Sequence, residues 1–402
     1  MSILLLVRPN VPSRFQIVPS PGLGYVAQAA RIAGWSVTIH DAWLLNQAPL
    51  ETVNAVFEKH RFVDAIGIQV FYDTVEWTRE YIEWARKLFK KAVFFIGGPQ
   101  VSALPEETRK ATGADGIVTG PGELYFGETI PDMPAWDLMD LPAYWPYMQS
   151  ATIPIRGKRP ASIITSRGCH HHCTFCAGHV VHGRMPLLRS VHSVFNEVMY
   201  LKDAYGVDEL WIHDDNFLYD RDRAHEILIR IWASGIKHIR FPNGIRCENI
   251  HDITVKAMKY AGTYMVGIGI ESGSPRVLRE VKKGLSLETI TRAVTLFHQY
   301  GIMTSGFFIV GLPPERKEDV ADSIRFALGI PLSRIQVGIF NPYPGSEDAG
   351  KVSQMDRKTL LRYQRSFFLR FYLRLHIIAS LIRHLRWSQI RALFKHPWLK
   401  GK

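Results

Sequence analysis

The sequence predicts an α/β protein: a doubly wound parallel sheet, then a partial barrel of six strand–helix units, then a basic helical tail. Three observations predict it. Short apolar runs alternate with helical patterns over residues 1–123. The alternation resumes from Ser162 to about Pro344, after a stretch rich in Pro and aromatic residues. Residues 351–402 carry 13 Lys and Arg against one acid, Asp356. Residues 1–350 hold 36 basic and 36 acidic groups, so the whole formal charge of +12 belongs to the tail.

In the first part, Ile3–Val7, Ser36–Asp41, Ala65–Phe71, Ala92–Ile96 and Gly116–Thr119 read as strands. Helical spacing fills Leu23–Ala33, Glu51–Lys59, Val75–Lys90 and Pro105–Thr112. Strands this apolar, alternating with helices, imply a parallel sheet covered on both faces. Such sheets bind ligands beyond the carboxyl ends of their strands. Glycine falls there, in Gly97-Gly98-Pro99 and Gly120-Pro121-Gly122-Glu123. It admits close approach of backbone to a ligand and also punctuates ordinary turns, and both readings stand. Ile3–Val7 meets Arg8 and Pro9 without a basic leader or a small-residue cleavage site, so a buried strand is expected rather than a signal peptide.

Residues 1–125 are expected to be the first domain. Pro131, Pro134, Pro142, Pro146 and Pro154, with Trp136, Tyr144, Trp145 and Tyr147, mark 126–160 as a linker that packs against something. The second domain, 161–346, has strands at Ser162–Ser166, Glu209–His213, His238–Pro242, Met265–Ile270, Ser305–Val310 and Arg334–Phe340. Val191–Tyr205 and Arg221–Ser234 are among its helices. In barrels of this kind the chemistry sits at the C-terminal ends of the strands.

The tail, 347–402, places Leu361, Phe368, Phe371, Tyr372, Leu375, Ile378, Ala379, Ile382 and Leu385 within one arc of a helix over 359–386. Arg362, Arg365, Arg370, Arg374 and Arg383 lie mostly outside that arc. This suits packing on the barrel, and it suits peripheral contact with an anionic membrane surface.

Composition narrows the function classes. Hydrophobic residues at 47% and charged residues at 21% exclude a disordered chain. Three of the four Cys lie within eight residues, which excludes a disulfide scaffold and suggests a metal site in a reducing, cytoplasmic setting. The longest run without a charged residue, Ala293–Pro314, is broken by Gly301, Gly306 and Pro313 and does not read as a membrane span.

The decisive stretch is Ser166-Arg167-Gly168-Cys169-His170-His171-His172-Cys173-Thr174-Phe175-Cys176, directly after the first strand of the second domain. Three thiolates on one loop can hold three irons of a [4Fe–4S] cube. The fourth iron keeps an open position, as a catalytic metal needs. A zinc site would need a fourth ligand, and no second Cys/His pair follows at finger spacing. Cys247 reads as a buried small hydrophobe.

Cys169, Cys173 and Cys176, with Phe175 before the last Cys, resemble the radical S-adenosylmethionine (SAM) superfamily. The resemblance implies that SAM chelates the open iron and is cleaved by an electron from the cluster to a 5′-deoxyadenosyl radical. Gly267–Ser274 resembles the family's SAM-contacting segment, with Glu271 and Ser272 at the barrel mouth. Gly306–Pro313, including Gly311, resembles the adenine-contacting segment, and Asn341–Ser346 the closing turn. Arg246 could pair with the SAM carboxylate as a planar fork. Relatives often carry a Gly-Gly-Glu type motif where this chain has Asp214-Asp215, so either acid could hold the SAM amino group or cap the following turn.

The first domain resembles the cobalamin-binding class of the same superfamily, through Pro19–Tyr25, Asp41-Ala42, Gly97-Gly98-Pro99 and Gly120–Glu123. Gly97, Gly98 and Gly122 are its candidate contacts. The Asp-x-His-x-x-Gly motif that ligates cobalt in methionine-synthase-type domains is absent, and Gln100 stands where relatives often have His. The resemblance therefore implies cobalamin without a lower His ligand. It implies C-methylation of a small-molecule or lipid-like substrate, with flavodoxin or ferredoxin as electron donor. Oxidative cyclisation of the magnesium-protoporphyrin ester cyclase kind, or an iron–sulfur sensor, are the alternatives. Methylthiolation of tRNA would require Cys ahead of Cys169, and there is none, so nucleic acid is not an expected partner.

Overall fold

The computed structural model describes residues 2–11, 17–150, 155–375, 377 and 379. It divides into two compact units, residues 1–148 with 178–183, and residues 149–177 with 184–402.

The first unit is built from β1 (Ile3–Arg8), α1 (Pro21–Ile32), β2 (Ser36–Asp41), α2 (Pro49–Lys59), β3 (Ala65–Gln69), α3 (Val75–Leu88), β4 (Val93–Gly97), α4 (Pro105–Thr112) and β5 (Gly116–Val118). The strands are parallel in the order β2-β1-β3-β4-β5. Successive side chains of a strand point to opposite faces. Leu5 and Val7 accordingly join Ile66, Ile68, Phe94 and Ile96 in one buried cluster, and Leu4 and Leu6 join Leu23, Ala27 and Ala30 in another. The order reverses between β1 and β3, which is where open sheets of this type form a ligand crevice. Ser20 caps α1, accepting from the Leu23 N–H, and Pro21 starts the helix.

Residues 126–148, read from sequence as part of a linker, cluster with this unit. Trp136, Met139, Leu141, Tyr144 and Met148 are buried. Gly24 of α1 makes room for them, since a Cβ there would meet Met139 at 2.6 Å and Pro134 at 2.8 Å. Tyr144, on α5 (Leu141–Ser150), donates its hydroxyl to Asp41 at 2.5 Å. Aromatic and Met side chains supply enough apolar area for a Pro-rich stretch to pack as core.

In the second unit, β6 (Pro160–Ile163) ends early. The chain leaves the sheet, and β7 (Ser166–Arg167) pairs antiparallel with β8 (Leu187–Leu188). Then follow α6 (Val191–Tyr205), β9 (Glu209–Ile212), α7 (Arg221–Ala233), β10 (His238–Ile245), α8 (Asp252–Tyr260), β11 (Thr263–Glu271), α9 (Pro275–Glu280), α10 (Leu287–Gln299), β12 (Met303–Val310), α11 (Lys317–Gly329), β13 (Arg334–Ile339) and α12 (Arg357–Tyr372). Six parallel strands lie in the order β13-β12-β11-β10-β9-β6, as a partial barrel requires.

The start of the basic tail packs on this sheet. Phe367 of α12 packs against Phe308, ring centroids 4.9 Å apart and the planes tilted by 53°, and Gln364 Nε2 donates to the Val337 carbonyl at 2.6 Å. Ile378, Ile382, Arg383 and Leu385 of the expected tail helix lie outside the described residues. Among the described residues no helix is long and apolar enough to cross a membrane.

Candidate functional site

β7 delivers the chain into the loop of Cys169, Cys173 and Cys176. Gly168, at φ +83°, makes the turn. Two acids just past β9 hold it. Asp214 accepts from the Thr165 N–H at 2.6 Å, the Thr165 hydroxyl at 2.5 Å and the Ser166 hydroxyl at 2.6 Å. Asp215 accepts from the Gly168 N–H at 2.8 Å. Burial raises the Asp214 carboxyl above its ordinary value, opposed by those hydrogen bonds. Asp214 thus has both oxygens engaged by the strand exit and positions the loop.

The middle of the loop is pinned as well. Thr174 donates its N–H to the Val281 carbonyl at 3.1 Å and its hydroxyl to Asp348 at 2.6 Å. Phe175 packs against Val277, Val281 and Leu312, so the aromatic before the last Cys anchors the loop to the core. Cys169 and Cys173 are half-buried and Cys176 is exposed. Cys247 is buried, which pushes its thiol up to about 12.

One side of the loop is cationic. Arg246 points Nη1 at Cys173 Sγ, 3.8 Å away, and is braced through Nε by Glu248 at 2.6 Å and through Nη2 by the Lys283 carbonyl at 2.7 Å. Glu248 also lies 2.9 Å from His171 Nε2, inside the Cys spacer. Burial raises the Glu248 carboxyl, but His171 and Arg246 prevail and hold it at about 2. Lys283 is buried and its ammonium donates to Glu271 at 2.7 Å. Burial disfavours its charge, yet Glu271 and then Cys173 raise the Lys283 pKa. Arg246, expected to face the SAM carboxylate, has its fork engaged by Glu248, Lys283 and Cys173.

The strand ends above are tightly built. Glu271 sits at φ +67° in a β-bulge. A Cβ on Gly269 would meet Glu271 Oε1 at 2.7 Å and Lys283 Nζ at 2.9 Å, so a side chain there would displace the ion pair. Ser272 is buried, 3.2 Å from Ser323 Oγ, and accepts from the Ser274 N–H. Gly311, at φ +91°, donates its N–H to Glu315 at 2.5 Å. Burial pushes the Glu315 carboxyl up to about 8, against the pull of that N–H. Sequence reading missed His171, Glu248, Lys283 and Glu315 as partners. Their contacts join separate loops, and no spacing in the chain signals them.

In the first unit, Ser20 Oγ donates to Gln69 Oε1 at 3.2 Å across the switch point. Gly98 has φ +105°, and a Cβ there would meet the Val70 carbonyl at 3.0 Å. A Cβ on Gly97 would lie 3.3 Å from the Val118 carbonyl, and one on Gly122 would lie 3.0 Å from Val26. The Gly120 N–H donates to Ser102 Oγ at 2.9 Å. These loops present backbone, hydroxyl and amide groups, a set that fits a flat corrin ring edged with amides and needs no imidazole.

The thiol loop likewise fits an iron–sulfur cube. Among the described residues no three His, Cys, Asp or Glu side chains converge on a point where one ion would sit. A cube instead takes one thiolate at each of three corners, and two cations face the anionic sulfurs.

Comparison with known proteins agrees with this division. Residues 163–327 match the radical SAM superfamily and residues 7–130 match the B12 binding domain. The chain is 27% identical over 388 residues to an uncharacterized methyltransferase of Pyrococcus horikoshii, covering 86% of this chain and 82% of that protein. It is 32% identical over 259 residues to the cytidylyl-2-hydroxyethylphosphonate methyltransferase of Streptomyces wedmorensis. That match covers 62% of this chain and spans about half, 47%, of the relative. The fold resembles the radical SAM methyltransferase TsrM of Kitasatospora setae, solved with cobalamin and a [4Fe-4S] cluster (TM-score 0.73, 18% identity, 87% of this chain and 74% of that one). It also resembles the cobalamin-dependent radical SAM enzyme OxsB (TM-score 0.68, 16% identity, 96% and 56%).

Proposed function

The chain belongs to the radical SAM superfamily and carries a B12-binding domain ahead of its radical SAM domain, and from that premise we propose that it methylates an unactivated carbon of a small-molecule substrate. The observation that carries this reading is the pairing, in one chain, of a pinned three-thiol loop with a doubly wound domain whose glycine loops follow the carboxyl ends of β4 and β5. When bound, the cluster supplies the electron for SAM cleavage and cobalamin supplies the methyl carrier.

The chain's own residues do the holding. Cys169, Cys173 and Cys176 ligate the cluster. Asp214, Asp215 and Thr174 keep the loop in place, and Arg246 and Lys283 face its sulfurs with positive charge. Glu271, Ser272 and Gly311 shape the strand ends where SAM binds. Gly97, Gly98 and Gly122 let backbone meet the corrin. Positioning of this kind is the protein's share of cofactor chemistry.

The test is anaerobic reconstitution with iron, sulfide and hydroxocobalamin, followed by desalting and metal analysis. One cobalt beside about four irons per chain is expected, and SAM labelled in its methyl group should pass label to product. Iron without cobalt would overturn the methyltransferase reading and leave SAM cleavage standing. A product lighter than substrate by hydrogen, with no added methyl, would replace it with oxidative cyclisation.

A further inference from the structure

All of the chain's net charge lies in residues 351–402, and no Asp or Glu follows Asp356. The described start of that stretch is α12. Asp356 caps it, accepting from the Thr359 N–H at 3.0 Å. The inner face of the helix is occupied by its own domain. Leu360, Gln364, Phe367 and Phe371 are buried there, with Phe367 against Phe308 and Gln364 on the Val337 carbonyl.

The outer face is built differently. At 3.6 residues per turn, Lys358, Leu361, Arg362, Arg365, Leu369 and Leu373 fall within roughly a third of the circumference, opposite the buried side. Residues three and four apart are neighbours on a helix, so these side chains form one strip, with Leu361, Arg365, Leu369 and Leu373 in a single row. Leu361 is 45% exposed, Leu369 49% and Leu373 68%. A lone exposed leucine is ordinary, whereas three in one row make an apolar strip facing water.

The cations of the strip also differ from those of other helices. Arg79 pairs with Glu76 and Glu83 on α3, Arg276 with Glu280 on α9, and Arg325 with Asp322 on α11. Each of those arginines has its carboxylate three or four residues away. No acid lies on α12. Among the described residues Lys358, Arg362 and Arg365 form no ion pair, and Arg362 Nη2 donates to the Thr359 hydroxyl at 3.3 Å.

Such a strip selects a partner by two properties. Leucine gains by leaving water for hydrocarbon, and unpaired cations gain by meeting clustered negative charge. A nucleic acid offers the charge without the hydrocarbon. An anionic bilayer offers both, since leucines sink to the acyl boundary while Arg and Lys extend their heads to the phosphates. We propose that the outward face of α12 is a docking surface for an anionic lipid bilayer, which the chain touches peripherally through Leu361, Leu369, Leu373 and the cations beside them. Docking of this kind needs neither the cluster nor cobalamin, so it stands or falls apart from the methyltransferase reading.

The test is co-sedimentation of the full chain with extruded vesicles of phosphatidylcholine, with and without phosphatidylglycerol. Binding to the anionic vesicles is expected, far above that to phosphatidylcholine alone, and it should weaken as salt rises. The triple variant Leu361→Ser, Leu369→Ser, Leu373→Ser should lower the partition coefficient about ten-fold or more. Lys358→Gln, Arg362→Gln and Arg365→Gln should each lower it about five-fold. Lys90→Gln, Lys91→Gln and Lys110→Gln together remove three charges from exposed positions of the first unit and should change nothing. Circular dichroism checks folding, and if the leucine triple variant unfolds, its single variants replace it. Equal binding to the two vesicle types, binding to neither, undiminished binding of the leucine variants, or equal losses in the α12 and first-unit charge variants would overturn the proposal. A leucine-dependent dimer that ignores vesicles would give the face to a second copy instead. Polyuridylate that displaces the chain from vesicles and binds the leucine variants undiminished would give it to RNA.

Discussion

Arg246 shows how one side chain can be fixed by two loops and serve a third. Glu248 and the Lys283 carbonyl hold its Nε and Nη2, so Nη1 has little choice but to face Cys173. Hydrogen bonds and positive charge at cluster sulfurs stabilise the reduced form. Arg246→Gln should therefore lower the cluster's midpoint potential by roughly 40 mV, the one-electron equivalent of about 1 kcal/mol. A potentiometric titration followed by electron paramagnetic resonance reads this directly, and Arg246→Lys should recover part of it. In the first unit, Gly98→Ala would place a Cβ at φ +105° against the Val70 carbonyl. It should lower stability by about 1–3 kcal/mol, visible in the melting temperature.

At the scale of elements, the turn after β12 has a built-in pH response. Glu315 is buried, accepts from the Gly311 N–H, and has its carboxyl raised from 4.5 to about 8 by burial. A carboxyl raised in the folded state holds a proton that the unfolded chain has lost. Its contribution is fully present below pH 4.5 and is lost as pH rises through about 8. Glu315→Gln should flatten the fall in urea midpoint between pH 5 and pH 8; an unchanged slope would refute the assignment. The helix α12 offers a second test. Phe367 is fully buried on Phe308, so Phe367→Ala should cost about 3–5 kcal/mol. Loss on that scale, measured by denaturant unfolding, would show that the start of the basic tail is part of the domain.

For the whole molecule, the glycine loops and the three-thiol loop lie on separate units with separate cores. Cys173→Ala should then sharply reduce retained iron and abolish SAM cleavage while leaving cobalt retention at its wild-type level. Metal analysis of the desalted variant checks it. Joint loss of cobalt would mean that the units do not load independently.

The sequence by itself determined the two parallel sheets, their strands to within a few residues, and the three-thiol loop. Each of these is written locally: apolar runs of strand length, helical spacing, and a Cys pattern within eight residues. Tertiary structure alone decided what surrounds them. It moved residues 126–148 into the first unit, where Trp136 is buried and Tyr144 found Asp41 far away in the chain. It paired Asp214 with Thr165 and Ser166, and Arg246 with Glu248, the Lys283 carbonyl and Cys173. It also set His213, Arg240 and Ser305 on one face, through the register of β9, β10, β11 and β12. Side-chain partners follow from register and loop closure, which depend on how all the strands assemble, and no local spacing encodes them.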